Sequence, residues 1–141
     1  MSGSSIVHIL SVSPNPADHQ VLENVFRNPN WVLHQADSAT ARSALTDHEV
    51  GVVLTERDLR PGSWTDVLQW TRQFANCPPL IVVSRIADES LWSDALRLGA
   101  FDVLAKPFDR IELLRSVRMA WSSWLRRRDS LMAGKLLRMA G

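Results

Sequence analysis

The chain has 141 residues, 45% hydrophobic and 22% charged, which suits one globular domain and excludes a disordered chain or a collagen-like repeat. No apolar stretch approaches the roughly 20 residues of a bilayer-spanning helix. A net charge of +1 conceals a split, because residues 1–108 hold 8 Lys/Arg against 12 Asp/Glu and residues 109–141 hold 8 against 3. The chain has an acidic body and a basic tail.

In chain order, the first apolar run is residues 6–10, and Val21, Leu22, Val25 and Phe26 then mark the apolar stripe of a helix over residues 16–26. Pro16 fits its first turn. A second run at residues 31–33 precedes an Ala-rich helix over 38–45, with Ser38 as its N-cap. The third run, residues 50–54, is followed by the turn Pro61-Gly62 and a helix over 63–74, capped by Ser63, with Trp64, Val67, Leu68 and Trp70 inward. The fourth run, residues 80–83, leads to a helix over 88–98 carrying Leu91, Trp92, Ala95, Leu96 and Leu98, with Gly99 as its stop. A weaker fifth run at 101–104 precedes a last helix capped by Asp109, with Ile111, Leu114, Val117 and Trp121 inward.

Strict β-α alternation with short connections predicts a parallel sheet with helices on both faces. Near-continuous Val/Ile/Leu in the strands agrees, since such strands are covered on both sides. Ten elements are too few for an eight-unit barrel. The expected fold is α/β, a flavodoxin-like doubly wound five-stranded parallel sheet, (βα)5, with an extended C-terminal helix. Ligands of such sheets bind beyond the carboxyl ends of the strands, where strand order reverses.

Those ends carry Ser13, Pro14 and Asn15 after the first run, and Thr55, Glu56, Arg57 and Asp58 after the third. Ser84 and Arg85 follow the fourth, and Lys106, Pro107 and Phe108 the fifth. These residues resemble the receiver domain of two-component response regulators over about residues 5–126. The string Gly99-Ala100-Phe101-Asp102-Val103-Leu104-Ala105-Lys106-Pro107-Phe108 carries most of the likeness. In that family an aspartate ending the third strand accepts a phosphoryl group from a histidine kinase, and an acidic pair after the first strand holds Mg²⁺. A hydroxyl residue after the fourth strand and a lysine after the fifth contact the phosphoryl oxygens.

The resemblance places Lys106 on the lysine and Ser84 on the hydroxyl residue, the two members of a phosphate pocket. Ser13 and Pro14 fall on the acidic pair, and neither offers a carboxylate. Glu56 falls on the phosphoacceptor position, with Asp58 as the alternative. Val103 stands at the switch position, where the family has Tyr or Phe, and Arg85 where it favours Ala. Mg²⁺ needs hard oxygen ligands, commonly one or two carboxylates besides phosphate, so no metal and no cofactor is expected. Glu56 is expected to pair with Lys106, with Ser84 donating a further hydrogen bond, which locks the strand-end loops.

The implied function is a receiver-type module in phosphorelay signal transduction. It works through contacts with a sensor kinase or downstream protein, independently of aspartyl phosphorylation, and is not an enzyme. The alternative is a conventional phosphoaccepting receiver, which needs a carboxylate at position 13 or 14. A third reading, a small enzyme or nucleotide binder, lacks a glycine-rich phosphate loop where Ser13-Pro14-Asn15-Pro16 stands.

His8, His19, His34 and His48 sit on separate elements without ligand spacing, so no metal site is read there. Cys77 is a loop or core thiol, and it cannot form an internal disulfide alone. The six tryptophans are spread along the chain and form no local stacking motif. Residues 1–5 carry no basic residue ahead of the apolar run, which argues against a secretory signal and for a cytoplasmic protein.

The tail, residues 127–141, reads as a basic amphipathic helical extension. Its helix is either packed on the sheet with a charged outer face or a surface for a partner or homodimer. Membrane and nucleic-acid partners are not expected, since one Arg cluster without a recognition motif is a weak signal. No helix-turn-helix or enzymatic segment is expected to follow the last helix.

Overall fold

The computed structural model describes residues 6–140; the stretch 1–5, where a signal was discounted, lies outside it. Five strands alternate with five helices: β1 Val7–Val12, α1 Pro16–Val25, β2 Trp31–Ala36, α2 Ala41–Asp47, β3 Val52–Glu56, α3 Trp64–Thr71, β4 Leu80–Ser84, α4 Glu89–Leu98, β5 Asp102–Ala105 and α5 Arg110–Ala140. All strand pairs are parallel, in the order β2-β1-β3-β4-β5. The chain runs outward from β1 to β2 and then crosses back to β3. That reversal is what makes the sheet doubly wound.

Burial on both faces explains the unbroken apolar strands. On one side Leu10, Val53 and Val82 meet Trp64, Val67, Leu91 and Ala95. On the other, Ile9, Val52, Leu54, Ile81 and Leu104 meet Leu22, Phe26, Leu113, Val117 and Ala120. Neighbours on one strand thus serve opposite cores.

Several helix starts follow their local chemistry. Asn15 caps α1 by accepting from Ala17 N at 3.0 Å. At α3, Ser63 and Asp66 form a reciprocal capping box. Asp88 caps α4, and Gly99 ends it at φ 99°, a left-handed conformation that suits a residue without Cβ. Asp109 accepts from Ile111 N at 2.9 Å and Glu112 N at 3.2 Å to open α5.

Other expectations need correction. α2 begins after Thr40, not at Ser38. Asp37 holds residues 38–40 in a turn by accepting from Ala39 N and Thr40 N, both at 3.0 Å. Val21, Trp92, Leu96 and Ile111, read as inward, are 43%, 38%, 61% and 79% exposed. In α5 the buried stripe is Leu113, Val117, Ala120 and Trp124, one residue ahead of the expected one at its start.

α5 continues past the sheet. Trp124 Nε1 donates to the Asn76 carbonyl at 3.3 Å, and Asn76 Nδ2 donates back to the Trp124 carbonyl at 3.0 Å. Arg127 donates to the Cys77 carbonyl at 2.9 Å. Beyond that seat Leu131, Met132, Leu136, Leu137 and Met139 are all exposed. Among the described residues, no helix is long and apolar enough to cross a membrane.

Candidate functional site

Because β1 lies between β2 and β3, the crevice of the sheet opens at the carboxyl ends of β1 and β3. Ser13 stands just after β1, Glu56 is the last residue of β3, and Lys106 follows β5. Their side chains meet. The Lys106 ammonium donates to Asp18 Oδ2 at 2.8 Å and also forms an ion pair with Glu56 Oε1. All three side chains are largely buried, 9% exposed for Lys106, 12% for Asp18 and 14% for Glu56.

Each partner is held from a second direction. Ser13 Oγ donates to Asp18 Oδ2 at 2.7 Å and accepts from Asn15 N at 3.1 Å. Glu56 Oε2 accepts from Arg57 N at 2.8 Å. His19 Nε2 lies 3.1 Å from the Ser13 carbonyl, which can only accept, so that nitrogen carries the proton. Burial works against the charge on Lys106, but its hydrogen bonds to Asp18 and Glu56, and their negative charges, outweigh it. The Lys106 pKa is therefore raised above its ordinary value.

Asp18 was not singled out from the sequence. Its signal was present: it lies in the first turn of α1, the helix that follows β1. A carboxylate there restores negative charge that positions 13 and 14 do not supply. It also sits where a helix N-terminus favours an anion.

Two expected participants stand apart. Ser84 is buried at 2% exposure, but its Oγ accepts from Ile86 N at 3.1 Å and makes no hydrogen bond to Glu56. The oxygen is engaged by the local turn after β4. Asp58 is 75% exposed and receives Arg57 Nη2 at 3.0 Å, so it points away from Lys106 into solvent. Pro14 is exposed. Val103 is 3% exposed within the core under α3 and α4. A cleft of ≈ 610 Å³ lined by Asn15, Asp18, Arg85, Lys106 and Phe108 opens beside the cluster.

The fold and cluster define the class: a doubly wound α/β domain with a lysine held by carboxylates at its strand-order switch point. The chain belongs to the response regulator receiver domain family, whose model matches residues 9–118. Such domains are the signalling modules of two-component systems. The chain is 27% identical over 121 residues to regulatory protein VirG of Agrobacterium fabrum, covering 85% of this chain and 48% of that protein. A VirG of Agrobacterium tumefaciens matches at the same identity, with 45% of its length covered. The chain thus spans about half the length of these curated relatives.

Among solved structures, the signal receiver domain of an HD domain-containing protein from Pseudomonas fluorescens Pf-5 superposes with TM-score 0.81 at 24% identity, over 92% of this chain and 96% of that one. The receiver domain of a sensor histidine kinase from Pseudomonas aeruginosa PAO1, with a magnesium ion coordinated in its active-site cleft, superposes with TM-score 0.72 at 25% identity, over 84% and 99%.

Proposed function

We propose that this receiver signals without phosphorylation of its own side chains. Its pocket is held in one arrangement by Lys106 between Asp18 and Glu56, and its output is contact with a sensor kinase or downstream protein in the cytoplasm. The observation that carries this reading is the position of the Lys106 ammonium, bonded to both carboxylates that converge on the crevice. Glu56 supplies a fixed negative charge at the acceptor position.

The donor set does not fit Mg²⁺. A hard divalent cation needs oxygen ligands free to face it. Here one oxygen of each carboxylate faces the ammonium, Glu56 Oε2 accepts from Arg57 N, and Ser13 turns its hydroxyl hydrogen toward Asp18.

The same reading includes self-association through α5. Trp121, Leu125, Met132, Leu136 and Met139 follow one another at spacings of four, seven, four and three residues along a helix of 31 residues, and the last three have no cover within the domain. A second copy of the helix would cover them.

Incubation of the full chain with acetyl phosphate and Mg²⁺, followed by intact mass, tests the pocket reading. No mass gain is expected. Stoichiometric gain of one phosphoryl group, lost on Glu56→Gln or on Asp58→Asn, overturns it and restores the conventional receiver.

A further inference from the structure

Three of the four histidines, distant in sequence, meet at the edge of the sheet. His8 of β1 and His34 of β2 approach at 2.9 Å, Nδ1 to Nε2, with rings 5.2 Å apart and 8° from parallel. His48, in the connection after α2, stacks on His34 at 3.8 Å between ring centroids. His34 is the shared member of both contacts. The rings stack, and no group of three or more ligating side chains among the described residues is arranged to hold a metal ion. The ligand this geometry suits is the proton.

Two facing ring nitrogens at hydrogen-bond distance need one proton between them. A neutral pair meets that condition. So does a pair with one added proton on an outward nitrogen. A second added proton places N–H on both facing nitrogens and abolishes the bond. Charge on His48 adds repulsion across the stack.

The cluster is coupled to the seat of α5. Gly51 N donates to the His8 carbonyl at 2.9 Å, and Val50 N donates to the His48 carbonyl at 3.0 Å. A Cβ on Gly51 would lie 3.2 Å from Trp121 Cδ1, so the same connection abuts α5. His8, Glu49, Trp121, Trp124 and Arg128 line one cleft.

We propose that His8, His34 and His48 form a proton-responsive latch that fastens β2 and the connection after α2 to β1, and so governs how α5 is seated at Trp121 and Trp124. At neutral pH the latch is closed. In mild acid it opens.

The charged neighbours are few. Burial first, then His48, then His8, lower the pKa of His34. Asp47 and Glu49 flank His48 in sequence. Arg128 of α5 shares the cleft with His8 and Glu49. On the α1 side Glu23 is bound to Gln35, beside His34. With His34 depressed in the folded state, the unfolded chain protonates first. The stability that neutral His34 lends is therefore whole above the ordinary histidine value of about 6.5 and is lost as pH falls through its folded value, and the bond between the facing nitrogens breaks when the second proton arrives.

The test is an NMR titration of the four histidine rings in the full chain from about pH 8 to 5, paired with tryptophan emission. His34 is expected to titrate below the ordinary value, and to move up in both His48→Gln and His8→Gln while His19 stays put. The acid-induced change in tryptophan emission is expected to shrink at least twofold in His34→Gln. His48 is exposed, so His48→Gln serves for the emission arm should His34→Gln fail to fold. An ordinary His34 midpoint indifferent to both substitutions overturns the proposal. So does an emission change that survives them intact.

Discussion

Asp18 and Lys106, separated by 88 positions in the chain, are joined at 2.8 Å across the mouth of the sheet. The bond ties the first turn of α1 to the end of β5, and Ser13 braces it from β1 at 2.7 Å. Position 13 lacks the family's carboxylate, but the crevice does not lack charge. An acid on α1 supplies it, one turn away, and the family's lysine answers to that acid as well as to Glu56.

The cluster should be felt in stability. Lys106→Met leaves two mostly buried carboxylates without their counterion, and a loss of about 3 kcal/mol is expected. Glu56→Gln keeps an acceptor for Arg57 N and costs about 1 kcal/mol. Because both act on one ammonium, the double variant should be non-additive. Urea unfolding followed by tryptophan emission measures all three. Additive losses would mean that Lys106 and Glu56 are energetically independent.

Alkaline pH offers a second check, and the chain is well suited to it because it has no Tyr. The raised Lys106 pKa means its contribution is whole below the ordinary lysine value of about 10.4 and is lost as pH rises through the higher folded value. The urea midpoint of the native chain should fall across that alkaline window. Lys106→Met should lack this component. Parallel curves for the two proteins would contradict the assignment.

Gly51 sets how closely β3 approaches α5. A Cβ there would meet Trp121 at 3.2 Å and Trp124 at 3.4 Å. Gly51→Ala should be tolerated at a cost near 1 kcal/mol, whereas Gly51→Val should cost about 3 kcal/mol by overpacking. A red shift in tryptophan emission should accompany the larger substitution. An unshifted spectrum with full stability would show that α5 moves aside freely.

Self-association is read from a chain ended after Arg128, which retains the Arg127 contact to Cys77. The native chain is expected to sediment as a dimer at about 100 μM and the shortened chain as a monomer. A native chain that stays monomeric at that concentration removes the dimer.

The alternation of strands and helices, the caps Ser63 and Asp109, the stop at Gly99 and the strand-end residues Glu56 and Lys106 were all legible in the sequence. Each depends on local chemistry: apolar runs, a side chain reaching a nearby backbone N–H, or a motif within ten residues. Inward faces were less legible. One residue turns a helix by about 100°, and the Leu113–Val117–Ala120 stripe was chosen over its neighbour by where the sheet stands.

Long-range partnerships were not legible at all. Asp18 looks like an ordinary first-turn acid until strand order brings β5 beside it. Ser84 looks like a member of the pocket until the turn at Ile86 engages its oxygen. His8, His34 and His48 look unrelated until β2 pairs with β1. The chain by itself determined which elements form and which charges stand at their ends, because those are set by neighbours a few residues away. Only the tertiary structure decided which of those charges meet, because that depends on the order in which five strands lie side by side.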